Sequence, residues 1–375
     1  MTVIERDVLA EALRTGEALL TRRAGATVAL TEPEDLGGTG RSTVVRARLG
    51  ENNPLDTGRS VVIKVLDDDA PTAPFLREVA AYRYATALPN NSRPGPQLIA
   101  ADEQARVLVL TDLGHGRGMI ELLGEDRGAA ARALSAWGQA LGRMHAATVG
   151  GEDDFDALLR RTLRGGPSTG GDEVRAQMVA AREGAQELTA RLGIDLDPRF
   201  AADLDAGTRL FDGGDLRAFS PSDVGPENIL INEDGVQFMD YEFGGFRDAS
   251  LDVAYALVTF PAYLAESALS FREPLEKMLV DAWRAEVQPL WPTVGRDIDL
   301  GRRLLAARVL WVWLCTHWLV TGGARGHDWA LNTGDARVVL TRWADLVEAA
   351  RRARDAEMFE AAEQMERALR LFWFE

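Results

Sequence analysis

Apolar and polar positions follow two different patterns along the first third of the chain. Residues 5–22 and Phe75–Ala87 place apolar side chains at the spacing of amphipathic helices. Ser42–Leu49 alternates apolar and polar residues, and Ser60–Leu66 is rich in β-branched residues, so both predict strands. Arg106–Leu113 predicts a further strand. The pattern therefore indicates a small α+β unit with a helix interposed between its strands.

Helical spacing predominates after Gly118. Ala129–Ala147 gathers its large apolar residues on one side, which predicts an amphipathic helix. Residues 172–193 and 198–211 predict further helices, and the sequence from Leu251 onward continues in the same way. The second part of the chain is therefore expected to be almost entirely helical.

One hairpin interrupts this helical part. Asn228–Ile231 and Val236–Met239 are short apolar segments on either side of an Asn-Glu-Asp-Gly turn. We therefore expect a bilobal α+β fold. Its β-rich N-lobe would span residues 1–114 and its helical C-lobe residues 115–375.

Charge and cysteine content narrow the function classes. The formal net charge of −16, from 42 Lys and Arg against 58 Asp and Glu, argues against nucleic acid or an anionic membrane as the main partner. The single cysteine, Cys315, excludes an intrachain disulfide and a cysteine-built zinc site. Leu304–Val320 is shorter than the ~20 residues of a membrane span and contains Arg308, so it predicts a buried core helix. The charged first residues do not resemble a secretion signal, so we expect a cytoplasmic protein.

The most informative motif is PSDVGPENILI, residues 221–231, followed by FMDYEF, residues 238–243. Asp223 and Asn228 share one loop, and Asp240 follows the predicted hairpin. Phosphoryl transfer needs a carboxylate that orients the attacking hydroxyl and oxygen ligands that hold Mg²⁺. Taken alone, the motif is more often a turn capped by Asn228 than a phosphoryl-transfer site.

Four upstream features occur in a fixed order before this motif. They are the glycine-rich segment with Gly37, Gly38, Gly40 and Ser42, the strand residue Lys64, the helix residue Glu78, and the strand that ends in Thr111-Asp112-Leu113-Gly114. Each has an ordinary explanation on its own: a turn, a polar strand face, a surface ion pair. All of them in this order, followed by Asp, Asn and Asp, predict a protein-kinase-like arrangement.

The chain resembles the aminoglycoside phosphotransferase and choline kinase superfamily. The resemblance rests on REVAAYRYA, LVLTDLG, ALGRMHA and NILI…MDYEF…LDVAYA, and it covers roughly residues 30–345. It implies a bilobal protein-kinase-like fold, ATP and Mg²⁺ as cofactors, and a small-molecule acceptor.

The resemblance also implies residue roles. Asp223 would be the catalytic base, and Asn228 and Asp240 the Mg²⁺ ligands. Lys64 would contact the phosphates and be held by Glu78. The remaining implied roles are a phosphate-binding loop at Gly37, Gly38, Gly40 and Ser42, an adenine-reading hinge at Asp112 and Leu113, and a structural role for Asp252.

One departure from the family pattern keeps an alternative open. Pro221-Ser222 stands where the family usually has His-Gly before the catalytic Asp, and none of the four histidines is near the loop in sequence. A nucleotide-binding pseudoenzyme or regulatory module is therefore an alternative to a working kinase. Glu242 could contact a second metal or a cationic substrate, or be solvated.

The expected activity is phosphorylation of a hydroxyl on a small molecule such as a cationic antibiotic, an amino sugar or an amino alcohol, with a neutral sugar as the alternative. Glu227, Glu242 and the acidic run Glu152–Asp156 are expected to attract a cation, unless they are solvated surface groups. Trp311, Trp313 and Trp318 are expected to be core residues rather than ligand-stacking ones.

Overall fold

The computed structural model describes residues 3–37, 42–51, 53–55, 58–67, 70–164, 172–322 and 329–374. The N-terminal part consists of α1 (Val3–Ala24), β1 (Leu30–Gly37), β2 (Ser42–Leu49), β3 (Ser60–Leu66), α2 (Thr72–Thr86), β4 (Leu98–Asp102) and β5 (Val107–Thr111). Its five strands form one antiparallel sheet in the order β1-β2-β3-β5-β4.

The two faces of this sheet have different partners. Successive strand residues point to opposite faces, so Val61 and Ile63 pack in the apolar cluster under α1, together with Val107 and Val109. Lys64 lies on the opposite face, in register with Val44 on β2 and Leu108 on β5. Strand alternation therefore directs Lys64 away from the α1 side.

The C-terminal part is mainly helical. Its elements are β6 (Arg117–Gly118), α3 (Met119–Glu125), α4 (Arg127–Thr148), α5 (Glu152–Thr162), α6 (Glu173–Glu183), α7 (Ala185–Arg191), α8 (Pro198–Arg209), β7 (Arg217–Ser220), β8 (Ile229–Asn232), β9 (Gly235–Phe238), β10 (Gly245–Asp248), α9 (Ser250–Thr259), α10 (Glu266–Leu269), α11 (Arg272–Val287), α12 (Asp297–Thr321), α13 (Ala336–Arg352) and α14 (Ala356–Phe374). The strands form a β6-β8-β9 sheet and a separate β7-β10 pair. A single large apolar core runs from α2 through these helices.

Helix α12 is the most apolar element. Among the described residues it alone is long and apolar enough to cross a membrane, and 72% of its most apolar stretch is buried within the protein. Trp311 and Trp313 are almost fully buried, and Trp318 is 3% exposed. The predictions of a core helix and of tryptophans that pack in the core are both confirmed.

The predicted α+β class is confirmed, and several boundaries agree closely. Ser42–Leu49 and Ser60–Leu66 are strands with the predicted bounds, and the predicted hairpin is formed by β8 and β9. The predicted helix over residues 172–193 is divided at Gly184, the residue between α6 and α7. Strands β1, β4, β7 and β10 were not individually predicted.

Candidate functional site

A cleft of about 480 Å³ separates the five-stranded sheet from the helical part. Its sheet side includes Val62 and Lys64 of β3, and its opposite side includes Asp223, Asn228 and Asp240. Residues that are far apart in sequence therefore share one cavity. The predicted site residues that line it are Ser42, Lys64, Asp112, Leu113, Asp223, Asn228 and Asp240.

Lys64 is bound by two carboxylates. Its Nζ lies 2.8 Å from Oε1 of Glu78 and 2.8 Å from Oδ1 of Asp240. The Lys64 side chain is 11% exposed and that of Glu78 is 2% exposed, so this pair is largely desolvated. Glu78 reaches the lysine because α2 packs against the sheet and buries Phe75, Val79 and Tyr82 on either side of it.

The negative charges of two neighbouring carboxylates keep Lys64 protonated. Burial acts to lower the pKa of Lys64, but the negative charges of Asp240 and Glu78 outweigh it and hold the pKa well above its usual value. Burial raises the pKa of Glu78 to about 7, against the opposing effect of Lys64. Lys64 is therefore a fixed cation in the cleft at neutral pH.

Asp223 lies in the loop between β7 and β8, and it is held by three donors. Asn228 donates Nδ2 to Oδ2 at 2.9 Å, and the Tyr255 hydroxyl donates to Oδ1 at 3.1 Å. The Gly225 N–H also donates to Oδ1, at 3.4 Å. Burial and the nearby charges of Glu227 and Asp240 raise the pKa of Asp223 well above its usual value. A buried carboxylate of raised pKa is suited to accept a proton.

The oxygen ligands in the cleft fit Mg²⁺. Because Asn228 uses its amide nitrogen to bind Asp223, its carbonyl oxygen is the atom left to face a metal. Asp240 has a left-handed backbone, with φ 53°, a conformation that Asp tolerates better than most residues. No cluster of three His, Cys, Asp or Glu that could hold a metal exists in the part of the chain that the structure describes. Mg²⁺ commonly takes only one or two protein ligands and completes its shell with phosphates and water.

The predicted hinge residues, Asp112 and Leu113, lie between β5 of the five-stranded sheet and β6 of the C-terminal part. The Asn232 side chain donates to the Leu113 carbonyl at 2.8 Å, which ties the β8–β9 turn to the hinge. The Asp112 carboxylate accepts from Ser60 at 2.6 Å and pairs with Arg46 at 3.0 Å. Burial acts to raise the pKa of Asp112, but the hydrogen bonds from Ser60 and the Gly114 N–H, together with Arg46, lower it. The Asp112 side chain is thus occupied by the sheet, and the backbone of the hinge remains the candidate for base recognition.

The glycine-rich segment is described only at its ends. Gly37 closes β1 with φ 89°, a left-handed conformation that glycine adopts without strain. Ser42 begins β2 and lines the cleft. Gly38 and Gly40 lie outside the described residues.

Two carboxylates and an aromatic side chain also line the cleft. Glu227, Glu242 and Trp329 line it. The Trp329 ring meets the Phe243 ring edge-on at 4.9 Å, and Glu227 Oε1 accepts a hydrogen bond from the Ala330 N–H. A Cβ at Gly225 would stand 2.5 Å from Glu227 Oε2, so glycine at this position lets the carboxylate lie against the loop that carries Asp223.

The sequence leaves two alternatives for the acidic run Glu152–Asp156, a position that attracts a cationic acceptor or a solvated surface, and the structure favours the second. None of these residues is among the described residues that line the cleft. The run forms the start of α5, where Glu152 pairs with Arg217, 3.0 Å from its Nε. The sequence of this run does not indicate the direction in which its side chains point.

Two residues of the site were missed in the sequence. The motif LDVAYA contains Tyr255 but gives it no separate role, and Trp329 lies in none of the sequence motifs. Their contacts with Asp223 and Phe243 join residues far apart in the chain, for which the local pattern holds no signal. Asp252, expected to be structural, is 1% exposed and binds His145 at 3.0 Å.

No protein-family model matches the chain, and no curated protein matches its sequence. Solved structures similar to it include an ethanolamine kinase from Plasmodium vivax, at 9% identity and a TM-score of 0.49 over 84% of this chain and 82% of that one. A choline kinase from Streptococcus pneumoniae is 13% identical, with a TM-score of 0.49 over 93% of this chain and 99% of that one. An aminoglycoside phosphotransferase is 14% identical, with a TM-score of 0.48 over 91% and 99%.

These structures carry the names of choline, ethanolamine and aminoglycoside kinases, the superfamily that the sequence motifs resemble. At such identities and TM-scores the likeness carries no argument about activity. The roles proposed for the cleft rest on its own residues and distances.

Proposed function

We propose that the chain is an ATP- and Mg²⁺-dependent phosphotransferase that acts on a hydroxyl group of a small molecule. The observation that carries this proposal is the meeting of Lys64 with both Glu78 and Asp240, 2.8 Å from each, in the cleft that Asp223 and Asn228 also line. These are the residue types that phosphoryl transfer requires, and Lys64, Asp240, Asp223 and Asn228 line the same cavity.

Lys64 supplies positive charge for the phosphates. Its raised pKa keeps it cationic, and its pairing with Glu78 fixes the position of the ammonium before a nucleotide binds. A fixed charge of this kind stabilises the transition state without reorganising during the reaction. The hinge backbone at Asp112 and Leu113 would hold the base, and Ser42, which begins β2 and lines the cleft, would lie near the phosphates.

Asp223 acts on the acceptor. Its carboxylate orients the attacking hydroxyl and accepts its proton as the new oxygen–phosphorus bond forms and the bond from that phosphorus to the departing ADP oxygen breaks, and its raised pKa makes it a better proton acceptor. Asn228 and Asp240 would hold Mg²⁺ through oxygen atoms. When bound, the metal would neutralise charge on the phosphates.

We further propose that the acceptor is a cation. Glu227 and Glu242 line the cleft beside Trp329, so carboxylates and an aromatic ring border the acceptor side. Carboxylates that line a cleft concentrate cations there, and an aromatic face attracts them as well. An amine-bearing alcohol fits this surface better than a neutral one.

The test is Mg²⁺-dependent ADP release over a panel in which each hydroxylated amine is paired with a neutral analogue. We expect release that requires an acceptor and is faster with the amines. Asp223→Asn should lower kcat by about 10²–10⁴-fold, as for other general bases. A preference for neutral sugars would favour the sugar-kinase alternative. Nucleotide binding without ADP release across the panel would favour a regulatory nucleotide-binding module.

A further inference from the structure

The backbone just before Asp223 has an unusual conformation. Ser222 has φ 81°, in the left-handed region that residues other than glycine rarely adopt. Its N–H donates to the Ser220 hydroxyl at 2.8 Å, and Pro221 has no N–H to donate. The side chain of Asp223 accepts its hydrogen bonds from residues that follow it in the chain, namely Gly225, Asn228 and Tyr255.

Two side chains hold the two oxygens of this carboxylate separately. Asn228 binds Oδ2 at 2.9 Å and Tyr255 binds Oδ1 at 3.1 Å. Asp223 is 7% exposed and Tyr255 is 3% exposed, so the tyrosine bond is shielded from water. A hydrogen bond to a buried charged group is stronger than one between neutral groups.

A buried chain of hydrogen bonds links α9, which carries Tyr255, to α4 and α11. Trp283 donates its Nε1–H to Nδ1 of His145 at 3.0 Å, because an indole can only donate. The Nε2–H of His145 then donates to Oδ2 of Asp252 at 3.0 Å. Asp252 lies three residues before Tyr255 on α9, so the relay fixes the turn from which the tyrosine projects.

A second attachment comes from α12. Trp311 donates its Nε1–H to the Leu251 carbonyl at 2.8 Å, which fixes the first turn of α9. The same indole meets the Tyr255 ring edge-on, with the centroids 5.1 Å apart and the planes at 88°. The tyrosine ring therefore has little freedom to rotate or to withdraw from the catalytic loop.

We infer that Tyr255 is a positioning residue, which holds Oδ1 of Asp223 so that the carboxylate keeps one orientation toward the acceptor hydroxyl. This inference rests on the proposed function. Tyr255 also supplies this carboxylate with a side-chain donor that Pro221, two positions before Asp223, cannot provide. Without the tyrosine hydroxyl the carboxylate would turn about its terminal bond, and a displacement of about 1 Å at a reacting group can cost about 10²-fold in rate.

The test compares Tyr255→Phe with Thr259→Val. Phenylalanine keeps the ring against Trp311 and removes only the hydroxyl. Thr259 is a matched control, because it is equally buried on α9 and its hydroxyl binds the Tyr255 carbonyl at 2.8 Å instead of the catalytic loop. We expect Tyr255→Phe to lower kcat by about 10–10²-fold. The KM values for ATP and for the acceptor, and both parameters in Thr259→Val, should stay near those of the wild type.

A double variant shows whether Tyr255 acts through Asp223. In the Asp223→Asn background, Tyr255→Phe should cause no further loss of kcat, because residues that act as one unit are not additive. A wild-type kcat for Tyr255→Phe, or an equal loss in both backgrounds, would overturn the positioning role and leave the proposed function intact. A near-wild-type kcat in Asp223→Asn would overturn the role of Asp223, and this positioning role with it, whereas the absence of acceptor-dependent ADP release in the wild type would overturn the proposed function itself.

Discussion

Lys64 Nζ and Asp240 Oδ1 lie 2.8 Å apart and are separated by 176 residues of chain. The ion pair joins the middle of the N-terminal sheet to the segment that follows the β8–β9 hairpin. Because Lys64 is 9% exposed, the pair is weakly screened by salt compared with a surface pair. It is the direct polar link between the predicted phosphate-binding residue and a predicted metal ligand.

Lys64→Met should lower kcat/KM for ATP by about 10²–10³-fold, as the loss of one fixed charge-stabilising donor does in other enzymes. Glu78→Gln should cause a smaller loss, since it leaves the ammonium in place but less firmly held. Glu78→Gln should cause no additional loss when Lys64 is already Met, because the glutamate acts through the lysine. Steady-state kinetics of the two single variants and the double variant give the kcat/KM for ATP of each.

Arg48→Met is the matched control for Lys64→Met. Arg48 is a cation on the same sheet, but its side chain is 58% exposed and pairs with the exposed Glu32. Its removal should leave kcat/KM for ATP unchanged, as surface ion pairs contribute little. Strictly additive losses from Lys64 and Glu78 would contradict a role for Glu78 through the lysine.

Asp240→Asn should abolish the Mg²⁺ dependence of nucleotide binding, because it removes a charged metal ligand. Asparagine tolerates the left-handed backbone at this position, where φ is 53°, so the substitution adds little strain. Calorimetric titration with a non-hydrolysable ATP analogue, with and without Mg²⁺, measures the effect. Asp234→Asn, in the exposed β8–β9 turn, is the control and should bind like the wild type. An unchanged Mg²⁺ dependence in Asp240→Asn would show that the metal ligand lies elsewhere.

The order of the chemical residues could be predicted from sequence because each lies on an element with a clear pattern. Strand β3 alternates inward and outward residues around Lys64, and its predicted and observed bounds agree. Strand β1 could not be predicted, since all of its residues but Leu30 are exposed and it contains Pro33. Strands β7 and β10 are short, and β10 is buried throughout, so it has no alternation to detect.

The hydrogen bonds that hold the site residues in place could not be predicted from the sequence, for a different reason. Tyr255 reaches Asp223 across 32 residues, and Trp283 reaches His145 across 138. Such contacts depend on how helices pack, and a periodic pattern specifies only which face is buried. The acidic run on α5 shows the same limit, because net charge in a segment does not indicate where its side chains project.

Glu276→Gln should destabilise the helical part in a pH-dependent way. Glu276 on α11 binds Arg272 and Arg308, each at 2.8 Å, and it connects α11 to α12. Burial acts to raise the pKa of Glu276, but Arg308 and Arg272 outweigh it and lower the pKa. Loss of one partner of a buried ion pair costs about 3–5 kcal/mol of unfolding free energy.

The lowered pKa of Glu276 determines the pH range in which its stabilising contribution is lost. Because the folded-state pKa lies below the unfolded value, the contribution is present above the unfolded pKa and is lost as the pH falls through the folded value. Urea unfolding should therefore show a large difference between wild type and Glu276→Gln at pH 7 that shrinks below about pH 4. Asp281→Asn, which removes an exposed carboxylate of the same helix, should change stability by less than about 1 kcal/mol. A difference that does not vary with pH would contradict an ionic role for Glu276.

Glu242→Gln should raise KM for a hydroxylated amine and leave KM for its neutral analogue unchanged. Glu242 lines the cleft, and its charge reaches far enough to raise the pKa of Lys64. An ion pair in partial contact with water contributes about 0.2–1 kcal/mol, so the rise in KM should be at most about fivefold. Added salt should raise KM for the amine in the wild type, because screening acts beyond ~8 Å at physiological ionic strength. The salt effect should be smaller in Glu242→Gln.

Asp153→Asn separates this local effect from that of net charge. It changes the charge by the same amount, but Asp153 is exposed on α5 and does not line the cleft. If the charge of the cleft itself selects the acceptor, Asp153→Asn should leave the amine KM at its wild-type value. Equal shifts in Asp153→Asn and Glu242→Gln would instead attribute the effect to the net charge of −16. No shift in either, with neutral sugars as the better acceptors, would reject a cationic acceptor.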